Sequence, residues 1–137
     1  VREFKKGGAE RNLARKRHPR LKGTLTLKKY LAEEHIRIAL HGNMKGEFDR
    51  DLDKKGLSRK VVAGVSNFMS PAWILCETDL LLTAPRRLAE RFAERLPVEL
   101  FDAPVEISKM SVMQVWHQRT HEDPFRNWMR QQLKELF

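Results

Sequence analysis

The sequence predicts an α/β fold, a mainly parallel sheet with helices packed on it. Three observations carry that expectation. Strand-like and helix-like segments alternate along the chain with short connections between them. The run Leu80-Leu81-Leu82 is continuously apolar, as a strand covered on both faces must be. Two helix starts, at Ser66-Asn67 and at Pro85, follow directly on strand-like segments. A chain of 137 residues with a hydrophobic fraction of 41% suits one compact domain with its own core.

Each element has a local reason. Thr26 supplies an N-cap hydroxyl ahead of Leu27, Tyr30 and Leu31, which share one helix face. Residues 35–40 alternate as a strand does, and residues 41–46 form a loop with glycine near both ends. Phe48 and Leu52 mark a short helix that Gly56 closes at the C′ position. The β-branched stretch from Arg59 to Val65 reads as a strand. The next helix carries Phe68, Pro71, Trp73, Ile74 and Leu75, with Pro71 in its first turn. After the strand at residues 79–84, Pro85 takes the N1 position of a helix bearing Leu88, Ala89, Phe92 and Ala93. Residues 96–101 and 112–116 return as strands. Asp123 then caps a final helix with Pro124 at N1 and an apolar stripe of Phe125, Trp128, Met129, Leu133 and Leu136.

Charge is distributed unevenly. Of 27 Lys and Arg against 18 Asp and Glu (net +9), residues 1–37 hold 12 against 4, so nearly all the basic excess lies in the first quarter. The stretch from Val1 to Lys22 has little apolar pattern and reads as a solvated, partly mobile segment. The single cysteine, Cys76, excludes an internal disulfide and a cysteine-based zinc cage, and it reads as a small buried hydrophobe. No 18-residue apolar run and no secretory signal are present, so a cytoplasmic protein without a membrane partner is expected. Nucleophile elbow, P-loop, zinc-helix and dinucleotide motifs are all missing, which leaves neither an enzyme nor a cofactor in view.

In a parallel sheet, ligands bind where loops leave the carboxyl ends of the strands. That rule gathers residues 41–46, 65–68 and 84–86. Asn67 is either a plain cap or a directional hydrogen-bond donor, and Phe68 either packs or walls a ligand. Arg86 or Arg87 is either a solvated first-turn residue or a forked clamp for a carboxylate, in a helical turn where the dipole disfavours a cation. His117 and His121 stand four apart but precede the last helix, so a structural or surface role is expected and no metal site.

Four phrases in register carry a family resemblance. Arg17-His18-Pro19-Arg20-Leu21 resembles the "HPL" segment of LysR-type transcriptional regulators, and residues 56–62 resemble their "GLxRxV" segment. Residues 78–89 resemble "TDLxxTxPxRLA", and Trp116 to Arg130 resembles the closing "WHxR…DPxxxWLR". The likeness runs over residues 13–137 and is nearest to the subgroup of aromatic-catabolism and nodulation regulators.

That resemblance implies a fold like type 2 periplasmic binding proteins, chiefly the second of two subdomains. Residues 1–12 would be a poorly matched basic segment, 13–103 the second subdomain, and 104–137 the crossover strand and final helix of the first. It implies a small organic effector, an aromatic acid among the classes, held in a cleft between subdomains by Asn67, Phe68, Pro85, His41 and Ser111. It also implies a dimer or tetramer, and DNA binding through an N-terminal domain that this chain lacks. A partial first subdomain would leave apolar surface bare on the final helix, so self-association or strand exchange is expected. The alternative is a basic nucleic-acid-binding module acting through residues 1–37.

Overall fold

A computed structural model describes residues 2–4, 10–40, 42, 45–106 and 112–136. These residues divide into two compact units, 10–106 and 2–4 with 112–136.

The larger unit is a five-stranded sheet between two pairs of helices. Its elements are β2 (Glu10–Arg15), α1 (Leu27–Ala32), β3 (Glu34–Ile38), α2 (Glu47–Lys54), β4 (Lys60–Val65), α3 (Ser70–Cys76), β5 (Leu81–Pro85), α4 (Arg86–Arg95) and β6 (Val98–Asp102). Strand order is β4-β3-β5-β2-β6. β3 pairs in parallel with both β4 and β5, whereas β2 runs antiparallel to β5 and β6. Four strands therefore point one way and β2 opposes them, so the expected mainly parallel sheet is a mixed one.

Strand alternation sends neighbouring residues to opposite faces. Leu13, Ile36, Leu82 and Val98 face α3 and α4, where they meet Ala72, Leu75, Ala89 and Phe92. Ala14, Leu81 and Phe101 face the other way, onto Tyr30 of α1, Phe48 and Leu52 of α2, and Leu21 and Leu25. Each fully buried leucine here contributes roughly 1.5–3 kcal/mol.

The solvated reading of the N-terminal stretch fails at Glu10–Arg15, which forms an interior strand of the sheet. Only Leu13 and Ala14 are apolar there, too few for a sequence signal. The strand is held by partners far along the chain: Arg11 Nη1 meets Asp102 Oδ1 at 2.6 Å, and Arg15 Nε meets Asp79 Oδ1 at 2.6 Å. Two helix starts also shift. α3 begins at Ser70, so Phe68 lies in the turn ahead of it, and Trp73 is 62% exposed and not part of the core. Pro85 ends β5 and stands just before α4 instead of inside it.

Other local signals hold. Thr26 Oγ1 accepts from Lys29 N at 3.3 Å. Gly56 follows α2 with φ +69°, a left-handed turn that costs glycine little. In the smaller unit, β1 (Arg2–Phe4) pairs antiparallel with β7 (Val112–Gln114), and α5 (Pro124–Leu136) starts where Asp123 Oδ1 accepts from Arg126 N at 2.9 Å. The α5 stripe is bare: Phe125 is 68% and Trp128 56% exposed, with Met129 and Leu133 also exposed.

Candidate functional site

The order β4-β3-β5, all parallel, brings the carboxyl ends of three neighbouring strands to one end of the sheet. Val65 ends β4 and is bonded to the residue after β3, Ala39 N donating to Val65 O at 2.7 Å. Asn67 and Phe68 follow Val65, and Pro85 ends β5. Topology thus gathers Asn67, Phe68 and Pro85 at the same end, as the sequence led us to expect. His41 and Ser111 lie outside the described residues.

The roles of these residues are set locally. Asn67 Oδ1 accepts from Met69 N (3.0 Å), Ser70 N (2.8 Å) and Ser70 Oγ (2.9 Å), closing the turn into α3. Its oxygen is committed to that turn, and its amide NH2 is the group left to offer. Phe68 and Met69 are exposed beside it, as is Leu40 after β3. Pro85 is half-buried and opposes Glu10 in the β2–β5 register.

Beneath the sheet's α1–α2 face runs a polar chain that no motif announced. Thr83 Oγ1 donates to Asn12 Oδ1 at 2.8 Å, so the Tyr30 hydroxyl, 3.0 Å away, donates to Thr83. Arg59 Nη1 donates to both Tyr30 Oη (3.1 Å) and Thr83 Oγ1 (3.2 Å), and Arg59 Nε donates to Asp49 Oδ1 at 2.6 Å. Asp49 also accepts from Gly46 N at 2.9 Å, tying the start of α2 to the chain. The Arg59 guanidinium lies 4.5 Å from the centre of the Phe48 ring.

Burial sets the electrostatics of this chain. It raises the Tyr30 hydroxyl above its ordinary value. At Asp49, burial pushes up the carboxyl, but the Arg59 hydrogen bond, the Gly46 N–H and the Arg59 and Arg37 charges outweigh it and hold the group low. His35, packed 4.5 Å from Tyr30, is pushed down to about 4 by burial; its Nε2 donates to Tyr30 O at 2.8 Å. Asn12 Nδ2 and His35 Nδ1 are buried without a hydrogen-bond partner. None of these groups pairs a nucleophile with a base; the chain orients side chains and holds α2 to the sheet.

The remaining candidates are structural. Cys76 Sγ donates to Ala72 O within α3, and burial raises its thiol. In the smaller unit, His117 Nδ1 accepts from Arg119 N, His121 Nδ1 accepts from Trp116 Nε1, and Arg130 lies over the Trp116 ring at 4.8 Å.

No protein-family model matches the chain. Individual proteins do. The transcriptional activator NahR of Pseudomonas putida is 33% identical over 125 residues, 91% of this chain and 42% of NahR. The regulator SyrM 1 of Sinorhizobium fredii is 36% identical, over 88% of this chain and 36% of its own length. Among solved structures, the regulatory domain of MexT, a transcriptional activator in Pseudomonas aeruginosa, matches all of this chain at 26% identity with a TM-score of 0.80; this chain covers 65% of that domain. Over about 90% of its length the chain is similar to LysR-type regulators. It corresponds to part of their regulatory domain, with the periplasmic-binding-protein-like fold. It spans about two fifths of the length of the curated relatives it matches. Those LysR-type relatives are transcriptional regulators and not enzymes. Among the described residues no helix is long and apolar enough to cross a membrane.

Proposed function

We propose that this domain senses a small organic molecule for a LysR-type regulator, with aromatic acids as the first class to test. The observation that carries the reading is the convergence of Asn67, Phe68 and Pro85 at the carboxyl ends of adjacent parallel strands, with Phe68 exposed there. Phe68 and Pro85 supply an apolar wall and the Asn67 NH2 a donor that fixes orientation. His41 and Ser111 complete the set by the family pattern alone. In the whole protein, occupancy favours one arrangement of a dimer or tetramer in the cytoplasm and so changes how a separate N-terminal domain engages DNA. Homology to regulators supports that wider role.

Benzoate serves as the probe in titration calorimetry. Asn67→Asp keeps the oxygen that closes the turn and removes the NH2 donor, so it weakens benzoate binding about tenfold while thermal stability holds. Unchanged affinity in that variant takes Asn67 out of the site. No heat from benzoate or from a panel of substituted benzoates, with the domain folded, removes the aromatic-acid class.

A further inference from the structure

Residues 11–32 contain eight Lys and Arg and no Asp or Glu. The fold sorts those cations into two groups. Arg11, Arg15 and Arg20 are consumed by ion pairs with Asp102, Asp79 and Glu33, and Lys29 Nζ donates to the carbonyls of Lys22 and Thr24. Lys16, Arg17, Lys22 and Lys28 are exposed, with no acidic partner among the described residues. Arg17, Lys22 and Gly23 line one open groove of about 610 Å³ with His18, Pro19, Leu21 and, from β6, Glu99.

The segment presenting these charges is rigidly held. His18 is buried; its Nδ1 accepts from Arg20 N and Leu21 N at 3.2 Å each, and its Nε2 donates to Asp79 O at 2.9 Å. Leu21 and Leu25 are buried in the core, and Lys16 N donates to Pro97 O at 2.8 Å. Arg17 adopts φ +58°, a left-handed conformation costly for a side chain with a Cβ. A solvated basic tail needs neither the anchor nor the strain. The ordering entropy of the four cations' backbone is therefore spent in folding and is not charged to a binding event.

We infer that Lys16, Arg17, Lys22 and Lys28 form a contact surface for the phosphate backbone of double-stranded DNA, separate from the sheet end assigned to the effector. Charge complementarity selects a polyanion: four like charges on a fixed loop and helix start repel one another unless a run of anions passes over them. DNA is the polyanion to which regulators with a helix-turn-helix, such as the relatives, bring their domains. The contact carries no base readout and is independent of sequence.

The test uses the 137-residue chain and a fluorescein-labelled 20-base-pair duplex of random sequence, by anisotropy at stepped KCl. Binding weakens with salt, with a log–log slope of about −3 to −4 if four cations meet phosphates. K16Q/R17Q/K22Q/K28Q loses at least about tenfold in affinity at 50 mM KCl and most of that slope. A control of equal charge loss on the same unit, K54Q/K55Q/K60Q/R91Q, keeps the slope. K22Q/K28Q, which leaves the strained loop intact, loses about half of it and serves if the quadruple variant does not fold. Equal losses in the quadruple and control variants, or binding that ignores salt, overturn the inference. So does an acidic 20-residue peptide that binds this surface more tightly than the duplex at the same salt, which would assign it to a protein partner.

Discussion

Arg59 and Asp49 meet at 2.6 Å with their side chains only 4% and 9% exposed, joining the residue before β4 to the first turn of α2. Burial of either charge alone is costly, so the pair stands or falls together. Arg59→Ala or Asp49→Ala loses about 3–5 kcal/mol in urea unfolding, because each strands the other charge. The double variant loses clearly less than the sum, and that non-additivity is the signature to measure.

His35 gives the domain an acid-sensitive core. Burial pushes its folded value down to about 4 from the ordinary 6.5 of a free imidazole. The unfolded chain therefore takes up a proton that the folded chain refuses. The contribution of neutral His35 is fully present above pH 6.5 and is lost as pH falls from there to about 4. The whole window corresponds to roughly 3 kcal/mol. Thermal midpoints at pH 7 and pH 5 should differ in the parent chain and differ less in His35→Gln.

The bare stripe of α5 predicts self-association. Phe125, Trp128, Met129 and Leu133 present adjacent apolar side chains to solvent. Sedimentation equilibrium should show mass rising with concentration, and Trp128→Gln with Leu133→Gln should return the chain towards monomer. A parent chain that stays monomeric throughout rejects the expectation.

Backbone strain yields a stabilising substitution. Arg17→Gly relieves φ +58° and gains up to about 1 kcal/mol, read from denaturant midpoints. At Gly56, φ +69°, the reverse applies, and Gly56→Ala costs about 1 kcal/mol.

Local chemistry was legible in the sequence by itself. A hydroxyl at Thr26, a carboxylate at Asp123 and a glycine at Gly56 act over three or four residues, so their spacing alone placed the ends of α1, α5 and α2. The apolar run at residues 80–82 likewise announced β5, because a strand covered on both faces needs no polar alternation. The common position of Asn67, Phe68 and Pro85 was legible for the same reason: each sits where a strand runs into a helix, a junction visible in the order of residues. The tertiary structure alone decided the rest. β2 became an interior, antiparallel strand through pairing with β5 and β6, residues some 70 to 90 positions away. Its buried Asn12 looks like a surface residue until Thr83 is brought beside it. Arg59, Asp49, Tyr30 and Thr83 likewise have no periodic signal, since a hydrogen-bonded chain across four elements is specified by distance in space and not along the sequence. Pairing energy arises only after the chain has closed those long loops, and for that reason no local pattern records it.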